Sequence, residues 1–269
     1  APQLTELWNE GAKIVAHNPS DENALCYVAA VDEQPLLMNR ELFDADVVLP
    51  IACTRLDEAR DARGPYESLY PRFADAATIR RFNQADSLDN PASVVRRRKE
   101  TEQAGWLLGA PLVVEIVPGR GGGVAAVVAG APQEAARSAA EDCQRQWQVP
   151  IDQHADLVVT SITGGPEEQT WANVARALFA ARRGTGDAQG AVAICTQLSE
   201  PPGEALQKLM AARDDLDQAT DLGRETSDDA ATAWELYKAL SAGPVYFMSQ
   251  LDDDTVEDLA LRIAYLEAV

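Results

Sequence analysis

ADVVLPIACT (residues 45–54) and ADLVVTSITGG (residues 155–165) decide the fold. Each is a short apolar run that follows Ala-Asp, ends in small polar residues, and is too short for a helix of ordinary length. They read as corresponding strands in two units of similar build. In sheets of parallel strands, ligands bind beyond the carboxyl ends of the strands. The segments that leave these two runs, 52–67 and 162–173, are therefore the expected walls of a site.

Outward from these runs, strand and helix patterns alternate. AKIVAHN (12–18) and ALCYVAAV (24–31) have strand character, and LLMNRELFDA (36–45) reads as a helix. A long polar segment follows, CTRLDEARDARGPYESLYPRF (53–73), punctuated by Gly64, Pro65 and Pro71. Long ordered loops of this kind are often functional. ADAATIRRFNQ (74–84) and ASVVRRRKETEQAGWLL (92–108) read as helices. PLVVEIV and VAAVVAG around PGRGGG (118–123) read as a hairpin, and APQEAARSAAEDCQRQW (131–147) as a helix with Pro132 at its start. Beyond Val149-Pro150 come the strand ADLVVTS, a loop and helix over 163–184, the strand GAVAICT (190–196), and helices at 203–215 and 228–243. A last strand, PVYFMSQ (244–250), and a last helix over 253–268 complete the chain.

This alternation predicts the α/β class: two α/β subdomains with mostly parallel sheets covered by helices, and a cleft between them. The expected division is 1–148, 149–243, and a return segment 244–269 that packs back on the first subdomain.

Lys and Arg number 23 against 43 Asp and Glu in 269 residues, a net charge of −20. A surface that negative repels phosphate backbones and anionic lipid, so neither nucleic acid nor a membrane is an expected partner. No apolar run is long enough to span a bilayer. The start, APQLTELWNE, shows no basic region leading into an apolar stretch, so no secretory signal is expected. Four scattered cysteines, Cys26, Cys53, Cys143 and Cys195, form no zinc-type spacing. They point to free thiols in a reducing compartment, and so to a cytoplasmic protein. The basic run Arg96-Arg97-Arg98-Lys99 reads as a solvated helix face.

Few motifs carry chemistry. PGRGGG lacks the Gly-Lys-Ser/Thr ending of a phosphate loop and leads into a strand, so it reads as a turn. TGGP (163–166) follows a strand and precedes a helix, where backbone N–H groups can face an anion, although a tight turn explains the same residues. On that helix Asn173 and Arg176 share a face. The two histidines, His17 and His154, are isolated and read as structural. The substrate-binding candidates are Gly164, Gly165, Asn173 and Arg176. No catalytic residue and no metal ligand is assigned.

QLTELWNEGAKIVAHNPSD (3–21), NRELFDADVVLPI (39–51) and ATIRRFNQ (77–84) together resemble the second half of the N-terminal domain of the nickel-dependent lactate racemases. LVVEIVPGRGGGVAAVVAGAPQEAARSAAEDC (112–143) resembles the hairpin and helix that end that domain. ADLVVTSITGGPEEQTWANVARAL (155–178) is similar to the opening of the C-terminal domain, and PVYFMSQLDDDTVEDLA (244–260) to a return segment. The resemblance spans nearly the whole chain through segment order and short phrases.

It implies a nickel-pincer nucleotide held between two domains, which takes a hydride from a 2-hydroxy acid and returns it to either face. Two histidines would serve as bases, a lysine would hold the cofactor, and a further histidine would ligate nickel. Laid on this chain without gaps, the resemblance puts Asp57 at the nickel-ligating histidine, Glu67 at the lysine and Asn83 near another histidine. A carboxylate suits soft nickel poorly, Glu67 reverses the lysine's charge, and a carboxamide is no base. Asn173 and Arg176 fall where the family carries Gln and Lys.

The expected protein is therefore lactate-racemase-like. It would bind a small anion, a 2-hydroxy acid or a nucleotide, in an interdomain cleft, without the nickel-pincer chemistry and with no cofactor of its own. A homo-oligomer is compatible with this. Two alternatives stand beside it: an active racemase or epimerase that uses other residues, and a non-catalytic protein that acts on a partner through the acidic stretch 214–229.

Overall fold

In the computed structural model the residues described are 13–31, 34–54, 65–84, 90–185, 190–212, 216–259 and 261–263. Among them the chain is α/β, with a two-stranded, a three-stranded and a four-stranded sheet. Two large apolar cores form, one from residues between Val28 and Ala135 and one from residues between Val158 and Leu261.

The first unit opens with an antiparallel pair, β1 (Leu25–Val31) and β2 (Gln34–Asn39). LLMNRELFDA was expected to be a helix, but its first half is β2. A short apolar run fits either period, and the buried alternation of Leu36 and Met38 follows that of a strand. Helix character is confined to α1 (Arg40–Phe43), which starts where the Asn39 side chain accepts from the Glu41 N–H at 2.9 Å. The described part of AKIVAHN forms no strand. His17 pins it there: its Nε2 lies 2.8 Å from the Ala74 carbonyl and its Nδ1 3.0 Å from the Asn39 amide nitrogen. The Asn39 oxygen is already held by Glu41, so its NH2 donates to Nδ1, and the ring proton sits on Nε2. This histidine is structural.

In the second sheet β3 (Ile51–Cys53) lies parallel to β4 (Val113–Pro118), which pairs antiparallel with β5 (Val124–Gly130) across the PGRGGG turn. Helix α4 (Pro132–Trp147) covers one face of this sheet through Ala139 and Cys143, packed on Val117. Ile51 and Val127 stand exposed on the other face. Helices α2 (Ala76–Asn83) and α3 (Pro91–Leu107) start on the side-chain caps of Asp75 and Asn90. Between them lies a buried ionic cluster. Arg81 forks onto Glu100 (Nη1–Oε2 2.9 Å, Nη2–Oε1 2.5 Å), and the Tyr70 hydroxyl donates to the same carboxylate.

The basic run is not wholly a solvated face. Arg97 turns inward, is 3 % exposed, and donates to the carbonyls of Arg81 (2.8 Å) and Gln84 (3.2 Å) over the Phe82 ring. At about 100° per residue, four successive helical side chains cannot share one face.

The second unit is a four-stranded parallel sheet of β6 (Leu157–Ser161), β7 (Ala191–Cys195), β8 (Val245–Met248) and β9 (Arg262–Ile263). Spatial order equals sequence order, so every crossover steps the same way. With crossovers of one hand, the helices then gather on one face. Helices α5 (Trp171–Thr185), α6 (Glu204–Ala211), α7 (Ala230–Ala242) and α8 (Asp253–Asp258) bury Val192, Ile194, Val245 and Phe247.

The expected return of 244–269 onto the first unit does not occur in its described part. β8 and β9 extend the second sheet, and Val256, Leu259 and Leu261 lie in the second core. The expected last helix also stops at Asp258, because the parallel pairing of β9 claims Arg262 and Ile263.

One glycine shows how tightly the first unit is packed. A methyl group at Gly105 would lie 2.1 Å from the Tyr66 ring, whose hydroxyl donates to the Ala110 carbonyl at 3.3 Å. Both residues are buried, so the ring has no free path away. Gly105→Ala is expected to lower stability by about 1–3 kcal/mol, the cost of an overpacked core. A urea titration with an unchanged midpoint would refute this.

Candidate functional site

The carboxyl edge of the parallel sheet is built around one buried amide. Gln169 accepts from the Thr196 hydroxyl (2.8 Å) and the Gln197 N–H (2.9 Å), and its NH2 donates to the Ile162 carbonyl at 3.3 Å. It thereby ties the chain leaving β6 to the chain leaving β7. Thr196 in turn accepts from the Leu198 N–H at 3.1 Å. Nothing in the sequence marks Gln169, which is one polar residue in a polar loop.

The TGGP turn sits on this frame. Gly164 has φ +113°, a region that disfavours any side chain. The expectation that the glycines open directly into a helix needs correction. A 3₁₀ turn, Pro166–Glu168, intervenes, and α5 begins only at Trp171, with the Thr170 hydroxyl accepting from the Asn173 N–H at 3.3 Å. The turn therefore does not lie on the end of the α5 dipole.

Asn173 and Arg176 are brought together on the first turns of α5. Arg176 Nη1 donates to the Asn173 carboxamide oxygen. The Asn173 NH2 donates to the Glu168 carbonyl (2.7 Å) and to the Glu168 carboxylate (3.2 Å). Gly164 and Gly165 join this group through their neighbours. A methyl group on Gly164 would lie 2.8 Å from Glu168 Cγ, and one on Gly165 would lie 2.6 Å from a Glu167 carboxylate oxygen.

Of the other sequence candidates, Asp57 lies outside the described residues. Asn83 is the last residue of α2. Glu67 sits 3.9 Å from Arg72. It also bears on Glu115, a residue that the sequence reading passed over. Glu115 projects from β4 to the covered face of its sheet, is 8 % exposed, and accepts from the Thr54 hydroxyl at 2.9 Å. Burial raises its carboxyl pKa above the usual range. The Thr54 hydrogen bond works against that rise, and the charge of Glu67 adds to it. The sequence signal was available, as a Glu among Val and Ile at an inward strand position. Among the described residues no disulfide forms, no group of three or more His, Cys, Asp or Glu side chains is placed to hold a metal, and no helix is long and apolar enough to cross a membrane.

No protein-family model matches the sequence, and no curated protein matches it. Solved structures do. The lactate racemase apoprotein from Thermoanaerobacterium thermosaccharolyticum superposes with a TM-score of 0.80 at 18% identity, over 97% of this chain and 67% of that one. The fold is lactate racemase-like. A crystal structure of a Thermotoga maritima protein from a structural genomics consortium gives a TM-score of 0.64 at 16% identity, over 92% of this chain and 70% of that one. The chain thus spans about two thirds of the lactate racemase and slightly more of the second protein, and shares their architecture.

Glu115 gives a pH test. A carboxyl whose pKa is raised by folding contributes stability below its unfolded value of about 4.3, and loses it as pH rises through the folded value. Melting temperatures of the parent should therefore fall, relative to Glu115→Gln, as pH rises from about 4 to 7. Gln keeps an oxygen for the Thr54 hydroxyl and removes the titration. Parallel curves for the two proteins would show that Glu115 carries no buried charge cost.

Proposed function

We propose that this chain binds a small 2-hydroxy acid at the carboxyl edge of its parallel sheet, in a cleft between the two units. What carries the reading is the lactate racemase-like fold over 97% of the chain, with Arg176 and Asn173 bonded to one another where the first crossover helix begins. Arg176 supplies a planar cationic fork that suits a carboxylate at any working pH. Asn173 supplies an amide that can meet either the carboxylate or the neighbouring hydroxyl.

The residues present do not fit a nickel-pincer nucleotide. The resemblance places Glu67 at the cofactor-linking lysine, and a carboxylate beside Arg72 cannot replace an amine. Asn83 offers a carboxamide in place of an imidazole, and both histidines are accounted for elsewhere: His17 is committed to Ala74 and Asn39, and His154 is an exposed residue ahead of β6. No hydride step through that group is assigned to this chain. Expressed alongside the enzymes that make the nucleotide, the purified protein is expected to carry nickel well below one per chain by plasma emission analysis. Stoichiometric nickel would overturn this part of the reading.

For binding, calorimetry with a panel of 2-hydroxy acids is the direct test. Arg176→Ala should weaken binding by about 1.5–3 kcal/mol, as for a hydrogen bond to a charged group. It should change thermal stability little, because Arg176 is not in the apolar core. Equal binding by parent and variant would exclude Arg176 as the anion clamp.

A further inference from the structure

The carboxyl edge of the sheet carries more negative charge than an anion site should. Two acidic side chains, Glu167 and Glu168, lie against the glycine turn. The stem of Glu168 runs along Gly164, so that any side chain there would meet its Cγ at 2.8 Å and its Cβ at 3.1 Å. The Glu168 carboxylate then accepts from Asn173 Nδ2 at 3.2 Å, beside the Glu168 carbonyl at 2.7 Å, and the Asn173 oxygen accepts from Arg176 Nη1. The order is carboxylate, carboxamide, guanidinium. A substrate carboxylate bound by Asn173 and Arg176 would have to enter the same sequence of donors.

We infer that Glu168 is a built-in stand-in for the substrate carboxylate: its side chain holds one of the two Asn173 amide donors and must leave before a 2-hydroxy acid can bind. This rests on the binding reading above. Three observations carry it. The side chain is exposed, so it can swing into solvent at little cost in packing. Its carboxylate takes a donor that the substrate needs, so the two compete for one hydrogen bond. The turn it lies along holds glycines at 164 and 165, where a methyl group would collide with Glu168 and Glu167, so this backbone leaves room for the two acidic side chains to fold back. Glu167, with its carboxylate against Gly165, adds a second like charge beside the path of an incoming anion. The cover sets selectivity as well as affinity. A dianion is opposed more strongly by the charges of Glu167 and Glu168 than a monoanion is.

The test uses lactate of either hand, with sulfate as the dianion, and calorimetry on the parent, Glu168→Ala, Glu168→Gln, and Glu168→Ala combined with Arg176→Ala. Both single Glu168 variants should bind lactate about tenfold more tightly than the parent, with melting temperatures close to the parent's. The double variant should lose that gain, and sulfate should gain more than lactate when Glu168 is neutralised. Equal lactate affinity in the parent and both Glu168 variants would overturn the stand-in while leaving Arg176 as the clamp. Weaker binding in the variants would overturn it too, and make Glu168 a positioning residue. Absence of binding by every one of the four proteins would overturn both the stand-in and the binding reading beneath it.

Discussion

The amide of Gln169 is the constraint on which the edge of the second sheet depends. A buried carboxamide that lost its partners would cost about 1–3 kcal/mol for each group left unmet. This one meets Thr196, Gln197 and Ile162 together. Those three belong to chains leaving two adjacent parallel strands, so satisfying the amide fixes where both chains can go. The glycine turn comes before Gln169 and α5 begins just after it. Position of turn and helix relative to the sheet therefore follows from one side chain. Trp171, the first residue of α5, is locked in the same way. Its indole N–H donates to the Glu200 carbonyl at 2.9 Å, and its ring stacks on Phe247 at an interplanar angle of 4°. Asn173 and Arg176 lie one turn further along a helix whose start is fixed on two sides.

Strand order sets the other condition. Because β6 to β9 follow one another in space as in sequence, the helices cover one face, and the outer residues of β6 remain open: Leu157 is 51% and Val159 64% exposed. The first unit repeats this arrangement with α4 on one face and Ile51, 63% exposed, on the other. Parallel strands are usually covered on both faces. At the carboxyl edge, backbone donors and acceptors leave the ladder and must find other partners, and Gln169 meets the Ile162 carbonyl and the Gln197 N–H there.

Where sequence reading worked, an apolar run had a length and flanks that allowed one period only. ADLVVTS, GAVAICT and PVYFMSQ became β6, β7 and β8, and the helical patterns over 74–84, 92–108 and 131–147 formed helices. It failed where two periods competed. LLMN became a strand because the facing strand Leu25–Val31 offered a ladder. Arg262 and Ile263 became β9 because Tyr246 and Phe247 offered another. Neither partner is visible locally. At the candidate site, helical spacing put Asn173 and Arg176 on one face, and there they bond to one another. Gln169, Thr196, Thr54 and Glu115 were not found from the sequence, since their roles come from contacts such as Thr54 to Glu115 that join residues far apart in the chain.

The charge balance explains why the acidic residues at the turn matter to any reading of the site. A net charge of −20 repels small anions at long range, although salt damps this beyond about 10 Å. Recognition of a carboxylate must then come from short-range donors, and the molecule offers an arginine and an amide in contact with one another. Those donors are already bonded to one another and to Glu168. On the proposed reading, a bound 2-hydroxy acid would exchange one carboxylate for another at Asn173, so its affinity would be set by the difference between two similar interactions, and its specificity by what the acid adds beyond its carboxylate.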